Sequence, residues 1–359
     1  MGTMESPQPS PVPPTPSTLA DLQRDPAAAP PDGRGTLPIA VSRTRTFDTP
    51  EFAGMTFLEV EAKTALNKVK GMPFPWSINP YRGCSHACTY CFARPTHAYL
   101  NLSPLDDFER TVVVKTNVAE VLRRELARRS WKGEHVAMGT NTDPYQRCEG
   151  RYRLMPGIIR ALAESYTPFS VLTKGTLITR DLDELVAARR KVPVTAAMTI
   201  GMLDEQLWRD AEPGTPSPAA RLRAVRQLND AGIPTGIMLA PIMPGLNDDP
   251  EQLSALVEAA ARAGATHITP IVLHLRPGVR ELFLPWLEAC HPELVARYQE
   301  LYQRSNARKE YSDSVLAHVR RARSAAWRRH GRPEKSPAWR RTVGPEAADE
   351  VEGGQLSLL

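Results

Sequence analysis

The stretch Asn79-Pro80-Tyr81-Arg82-Gly83-Cys84-Ser85-His86-Ala87-Cys88-Thr89-Tyr90-Cys91 constrains this chain more than any other. It gathers three of the five cysteines of a 359-residue sequence at C-x3-C-x2-C spacing, so one short loop aims three sulfurs at a common point. Three thiolates this close predict a metal site. Structural zinc, and a cluster that only carries electrons, each need four protein ligands. The remaining cysteines, Cys148 and Cys290, do not form a second pair at ligand spacing. A [4Fe–4S] cubane on Cys84, Cys88 and Cys91 keeps one iron open to a substrate or cofactor, which turns an electron carrier into a catalyst. A Cys3His zinc site that recruits His86 or His97 is the other metal reading, because soft thiolates also suit zinc. A disulfide framework is the weakest reading: the cysteine number is odd, and neighbouring loop cysteines at this spacing pair poorly.

With Tyr90 just before the last cysteine, the C-x3-C-x-aromatic-C pattern resembles the cluster loop of radical SAM enzymes. The resemblance implies that the open iron binds the amino and carboxylate groups of S-adenosylmethionine and that one electron from the cluster cleaves the sulfonium. The 5′-deoxyadenosyl radical so formed would abstract a hydrogen atom. A reductant such as flavodoxin or ferredoxin is implied as a partner. In such enzymes the cofactors carry the chemistry, and the protein supplies position and exclusion of solvent.

Around the cysteine loop, apolar β-branched runs alternate with amphipathic helical segments. Strands are predicted at Trp76 to Tyr81, His135 to Met138, Phe169 to Leu172, Val194 to Ile200, Thr235 to Leu239 and His267 to Val272. Helices are predicted at Val118 to Arg129, Met155 to Glu164, Arg221 to Asp230 and Glu251 to Ala263, with a further one capped by Asp181 and Glu184. Such alternation implies an α/β fold with a parallel sheet whose active face lies at the strands' carboxyl ends. The resemblance sharpens this to a partial (β/α)6 TIM-like barrel over residues 76–276.

Eleven of the 34 prolines fall within residues 1–50 with few large apolar groups, so that segment is expected to be a disordered tail. Residues 51–75 read as a lead-in helix, from Leu58, Ala62, Ala65, Leu66 and Val69 at roughly helical spacing. Residues 277–332 read as a basic helical extension bearing Arg320, Arg321, Arg323, Arg328 and Arg329, and 333–359 as a disordered tail. A basic helix is most often a solvated face; contact with nucleic acid is the sharper alternative. The net charge of +5 permits an anionic partner. No run of eighteen apolar residues occurs, so a soluble cytoplasmic protein with no membrane partner is expected.

From residue 55 to 275 the chain resembles the spore photoproduct lyase-like, or DNA repair photolyase-like, branch of radical SAM proteins. The resemblance is carried by Gly139-Thr140-Asn141-Thr142-Asp143-Pro144-Tyr145-Gln146, Leu172-Thr173-Lys174-Gly175, Arg180-Asp181-Leu182-Asp183, Glu212-Pro213 and Ala240-Pro241-Ile242-Met243-Pro244-Gly245. Asn141, Thr142 and Asp143 follow a strand at the barrel mouth, where they can hydrogen-bond the methionine or ribose parts of the cofactor; the bland alternative is a loop held by its own turns. The resemblance implies that Lys174 pairs with the cofactor carboxylate and that Thr199 holds a similar strand-end place.

Two departures separate this chain from the lyase. Thr140 stands near the place of the lyase's hydrogen-donating cysteine, and Phe92, without an O–H, stands where the lyase has a tyrosine. Cys148 and Tyr145 are the candidates here for quenching a product radical. The terminal Gln355-Leu356-Ser357-Leu358-Leu359 resembles the peptide by which bacterial DNA-metabolism proteins dock on the replication sliding clamp. A random apolar terminus is the alternative; docking would move the substrate toward DNA. The readings that follow are hydrogen abstraction from DNA or a nucleotide, a radical SAM modifier of a protein or small metabolite, and a non-catalytic zinc-containing nucleic-acid adaptor.

Overall fold

Strands joined by a full helical crossover pair in parallel, because the helix carries the chain back to the edge from which the previous strand left. The computed structural model describes residues 39–331 and realises this rule. In chain order it opens with β1 (Val41–Arg45), β2 (Thr56–Val60), β3 (Leu66–Lys68) and β4 (Trp76–Ile78). The short β5 (Tyr81–Arg82) leads into the cysteine loop, and α1 (Asp107–Arg110) and β6 (Thr111–Lys115) follow it. Then come α2 (Val118–Leu126), β7 (Val136–Met138), α3 (Glu149–Tyr152), α4 (Leu154–Glu164), β8 (Phe169–Thr173) and α5 (Leu182–Arg189). After β9 (Val194–Thr199) lie α6 (Glu205–Ala211), α7 (Pro218–Asp230), β10 (Thr235–Ile242), α8 (Pro250–Arg262) and β11 (Ile268–Val272). Helices α9 (Arg280–Cys290), α10 (Val295–Leu301) and α11 (Lys309–His330) end the described chain.

The main sheet has seven strands in the order β11-β10-β9-β8-β7-β4-β3. From β4 to β11 every neighbouring pair is parallel, and β3 joins antiparallel at one edge. With β3 and β11 at opposite edges, the six parallel strands make the open, partial (β/α)6 barrel expected from the sequence. Register places Ser77, Ala137, Ser170 and Thr195 side by side, then Leu172, Ala197 and Gly236, then Thr199, Met238 and Thr269. These residues face the concave side, and most are small or half-buried. The alternate positions, among them Val136, Val171, Val194, Met198 and Ile237, are buried with Leu122, Ile159, Leu185, Val225 and Leu256 of the surrounding helices.

Glycine is required where β7 ends. Gly139 has φ +84°, and a Cβ there would come within 1.8 Å of the Leu172 carbonyl oxygen, so only a bare backbone lets the loop after β7 cross the end of β8.

Three sequence expectations are corrected. The lead-in helix over 51–75 is instead β2 and β3. Phe57, Leu58 and Val60 are buried in a second, four-stranded sheet of order β1-β2-β6-β5, while Ala65 and Leu66 donate their N–H groups to the Glu125 carboxylate at 3.0 and 2.9 Å. Partners distant in sequence therefore override the helical spacing. The N-terminal tail does not extend to residue 50, because β1 pairs antiparallel with β2. The apolar run Val112–Val114 lies in this second sheet, where β6 pairs with β2. Finally, α5 starts after Asp181, but the Asp181 side chain accepts from Arg180 at 2.7 Å instead of capping the helix. Residues 1–38, the tail from 333 and the terminal peptide Gln355–Leu359 lie outside the described residues.

The extension after residue 277 is helical as expected. Val315, Val319 and Ala326 of α11 join the main core, while Phe283, Trp286, Tyr298 and Tyr302 form a second core with Met202, Leu207, Ala211 and Met243. No described helix is long and apolar enough to cross a membrane.

Two glycines separate crowding from backbone strain. Gly232→Ala, at φ +81° with nothing within 4 Å, should cost only about 1 kcal/mol. Gly139→Ala should cost about 3 kcal/mol or more, because strain and collision with backbone add. Urea unfolding of the two variants checks this ordering.

Candidate active site

The cysteine loop leaves β5 through Gly83, whose φ of +85° brings it so close to Thr111 that a Cβ would stand 2.7 Å from that carbonyl oxygen. Its backbone is then tied from several sides. Cys84 N–H donates to the Phe108 carbonyl at 2.9 Å, and Thr89 N–H donates to the Ala211 carbonyl at 3.1 Å. The buried Gln146 amide clamps the loop's start, accepting from Ser85 N–H at 2.9 Å and donating to the Gly83 carbonyl at 3.0 Å. Gly214 donates to the His86 carbonyl at 3.1 Å, and a Cβ on it would meet the Ser85 oxygen at 2.0 Å. Loop geometry is thus set by β6, α6 and the segments after β7 and α6.

All three thiols are free; Cys84 and Cys88 are buried and Cys91 half-buried. Burial pushes the Cys84 thiol well up, and the neighbouring Asp143, Cys91 and Cys88 add to the effect. Burial also pushes Cys88 up to about 12, opposed by the Lys174 charge. Cys88 Sγ lies 3.9 Å from the His86 carbonyl, and backbone groups of His86, Ala93 and Arg94 approach Cys84 and Cys91, so no side chain holds a thiol and the donor set is uncommitted. Among the described residues no group of three or more His, Cys, Asp or Glu side chains surrounds a single-ion position. A cubane makes no such demand, since each cysteine binds a different iron. The two histidines a zinc site would recruit are engaged elsewhere: His86 Nδ1 lies 3.3 Å from Asp143, and His97 Nε2 lies 2.9 Å from the Thr111 carbonyl oxygen. Three uncommitted neighbouring thiols on one braced loop fit a three-thiolate cluster.

Beside the thiols lies a buried charge network whose centre the sequence did not reveal. Glu212, fully buried, accepts from Arg221 and from the Tyr90 hydroxyl, and pairs with Lys174 Nζ at 3.2 Å. Arg221, itself 1% exposed, also donates to the carbonyls of Thr199 at 2.8 Å and Pro216 at 2.9 Å. Lys174 Nζ lies 5.4 Å from the Tyr90 ring centroid. Burial alone would raise the Glu212 carboxyl, yet the Arg221 and Lys174 charges outweigh it and hold the group at about 2 instead of 4.5. A signal was present: Arg221 lies on the stripe of Ala224, Val225 and Leu228 in α7, and an arginine on an apolar stripe needs a buried partner.

Of the predicted cofactor residues, Thr199 ends β9, Lys174 directly follows β8 and Asn141 lies in the loop after β7, while Thr142 and Asp143 make bracing contacts. Thr142 is buried and donates to the Tyr81 carbonyl at 2.8 Å. Asp143 accepts from Thr173 Oγ1 at 2.5 Å, Lys174 N–H at 2.6 Å and Tyr145 N–H at 2.9 Å. Although burial opposes it, the His86 ring and these donors keep the Asp143 carboxyl below its usual range. Asn141 is half-buried, and its side chain makes no hydrogen bond among the described residues.

The two radical-quenching candidates are not brought to the mouth. Cys148 is 0% exposed and packs among Phe52, Met55, Phe57, Tyr81, Val112 and Val114 under the second sheet. Tyr145 is buried in the main core, where burial and the nearby Asp181 push its phenol well up.

Because Glu212 is charged in the folded chain down to about pH 2, it stabilises the fold fully above 4.5, and that contribution is lost as pH falls from 4.5 toward 2. Urea unfolding at about pH 5 and about pH 3 should therefore show a larger drop for the parent than for Glu212→Gln. At neutral pH, Glu212→Ala should lose about 3–5 kcal/mol by leaving Arg221 buried without its partner.

Comparison with known proteins agrees with this geometry. An uncharacterized protein of Mycobacterium tuberculosis is 54% identical over 275 residues, covering 75% of this chain and 81% of the relative. One from Methanocaldococcus jannaschii is 29% identical, covering 53% of this chain and 69% of its own. Among solved structures, spore photoproduct lyase complexed with dinucleoside spore photoproduct superposes with a TM-score of 0.58 at 17% identity, over 76% of this chain and 79% of the lyase. A lyase variant with bound AdoMet and the same photoproduct gives 0.57 at 17% identity over the same shares. The sequence profile of the Radical SAM superfamily matches residues 78–257, half of the chain. With its cysteine loop at the mouth of an open six-stranded parallel barrel, this chain is an enzyme of the radical SAM superfamily.

Proposed function

We propose that the chain holds a [4Fe–4S] cluster on Cys84, Cys88 and Cys91, binds S-adenosylmethionine beside it, and acts on DNA or a nucleotide in repair or modification. The observation that carries the reading is the braced loop of three uncommitted thiols standing next to Lys174 at the barrel mouth. When bound, the two cofactors supply reductive cleavage to a 5′-deoxyadenosyl radical and hydrogen-atom abstraction. Lys174, half-buried and steadied by Glu212, presents an ammonium to a carboxylate at the mouth. Asn141 offers an amide free of internal partners, and Thr199 a strand-end hydroxyl. Gln146, Thr142 and Asp143 act one step back, fixing the loop and the end of β8 on which Lys174 stands. The apolar run Ala240–Ile242 is buried in β10 and contributes a wall rather than a polar contact.

The nucleic-acid substrate is supported by the lyase whose solved complex holds a dinucleoside and whose fold this chain shares. Authentic spore photoproduct repair is not part of the reading, because Thr140 and Phe92 stand where the lyase carries a thiol and a phenol. A radical modifier of a protein or small metabolite remains the second reading and has no residue here that favours it.

Anaerobic reconstitution with iron and sulfide, then dithionite and S-adenosylmethionine, should yield 5′-deoxyadenosine. Cys88→Ala should abolish both the iron–sulfur absorption and the product. Lys174→Met should keep the absorption and weaken S-adenosylmethionine binding about tenfold or more, as expected for losing a charge-assisted contact. Cys148→Ala should leave the yield unchanged. An unchanged yield in Cys88→Ala would sink the cluster assignment. Docking on the replication sliding clamp through Gln355–Leu359 belongs to the same proposal: pull-down with purified clamp should retain the full chain and lose a chain ending at residue 354, and equal retention of both would remove it.

A further inference from the structure

Four large apolar side chains are exposed among the described residues, and two of them, Phe92 (57%) and Tyr99 (75%), sit on the single segment that follows Cys91. That segment turns through a short 3-10 helix, Arg94–Leu100, and is pinned onto one face of the second sheet. Leu100 is buried against Leu58, Val60 and Val113, and His97 Nε2 lies 2.9 Å from the Thr111 carbonyl oxygen. The rings of Phe92 and Tyr99 are therefore outside a fixed platform rather than on a free loop.

The same sheet face carries two cations. Arg82 of β5 pairs in register with Val113 of β6, and Lys115 stands two residues beyond Val113. Directly paired residues share a face, as do positions two apart, so both basic side chains, each half-buried, lie on the face that the segment partly covers. Burial, and then the Arg82 charge, lowers the Lys115 ammonium to about 8. Neither side chain makes a hydrogen bond or ion pair among the described residues. Glu125, the carboxylate that acts on Lys115, already accepts from two backbone N–H groups. Arg94 on the neighbouring turn shows the contrast: it is buried and paired with Glu109. Holding two like charges together without an anion is unfavourable until one binds.

We propose that Arg82, Lys115, Tyr99 and Phe92 form a docking strip for a single strand of nucleic acid, its phosphates on the two cations and its bases against the two rings, leading past Cys91 into the barrel mouth. The chemistry fits one occupant. A polyanion alone satisfies the cations and leaves the rings wet, whereas a single strand offers phosphates and unstacked aromatic faces together. This deepens the nucleic-acid reading above and rests on it. The strip also lies on the cluster side of the chain, unlike Arg320, Arg321 and Arg328 of α11, whose helix runs past Arg323 to the start of β11.

Fluorescence anisotropy with a labelled oligothymidylate, using the full reconstituted chain without S-adenosylmethionine, tests the strip apart from turnover. Tyr99→Ala should weaken binding about tenfold, and Tyr99→Phe should restore it, as expected for base stacking. Lys115→Gln and Arg82→Gln should each reduce the slope of log K against log salt by about 0.7. Tyr99→Ala and Lys115→Gln variants that bind like the parent overturn the proposal. So does loss confined to Arg320→Gln, Arg321→Gln and Arg328→Gln, which would place the strand on α11, and so does equal competition by polyglutamate. Lack of strand binding with 5′-deoxyadenosine still formed removes the strip alone; Tyr99-dependent binding without 5′-deoxyadenosine removes the radical reading and leaves the strip.

Discussion

A carboxylate fully removed from water holds the active-site half of this molecule together. An isolated buried charge is prohibitively unfavourable, so Glu212 can exist where it does only because Arg221, Lys174 and the Tyr90 hydroxyl converge on it. Each of those partners belongs to a different part of the site. Tyr90 is in the cysteine loop, Lys174 ends β8, and Arg221 rises from α7 to hold the carbonyl at the end of β9. One anion thereby fixes the distance between the loop and two barrel strands. Because the three cations and donors would be stranded without it, the arrangement is all-or-none, which suits a site that must be shaped before any cofactor arrives.

A second tie of the same kind runs through Asp143. Its two oxygens gather donors from Thr173, Lys174 and Tyr145 and face His86 of the cysteine loop. Lys174 is thus positioned twice, its backbone by Asp143 and its ammonium by Glu212. Polar residues at the mouth divide accordingly into those whose hydrogen-bonding capacity is consumed inside the protein and those, such as Asn141, that retain it. Only the latter can meet a cofactor without first giving up an internal bond.

The barrel was legible in the sequence because each of its strands carries a local signal, an apolar β-branched run bounded by helical segments. The cysteine loop was legible because ligand spacing is local too. What escaped is non-local. Phe57 to Lys70 has helix-like spacing, yet the Ala65 and Leu66 N–H groups are captured by Glu125, sixty residues away for Ala65, and its strands pair with β1, β6 and β4. Glu212 precedes a proline and carries no local signal of its role, since its partners come from positions 90, 174 and 221. Thr142 and Asp143 follow β7 as the sequence suggests, but sequence position cannot distinguish a hydroxyl that faces outward from one already donating to Tyr81.

The burial of Cys148 changes what the chain can contribute to hydrogen transfer. A residue that donates a hydrogen atom must reach the reacting carbon with an S–H or O–H free to move. Cys148 lies in an apolar cluster, Tyr145 lies in the core, and the Tyr90 hydroxyl is committed to Glu212. Phe92 offers a ring and no O–H, and Thr140 an alcohol whose O–H bond is far stronger than a thiol's. Cys148 and Tyr145 are buried away from solvent, and the Tyr90 hydroxyl has its partner inside the protein. Under the nucleic-acid reading, the exposed ring of Phe92 is therefore available to a base rather than to a radical.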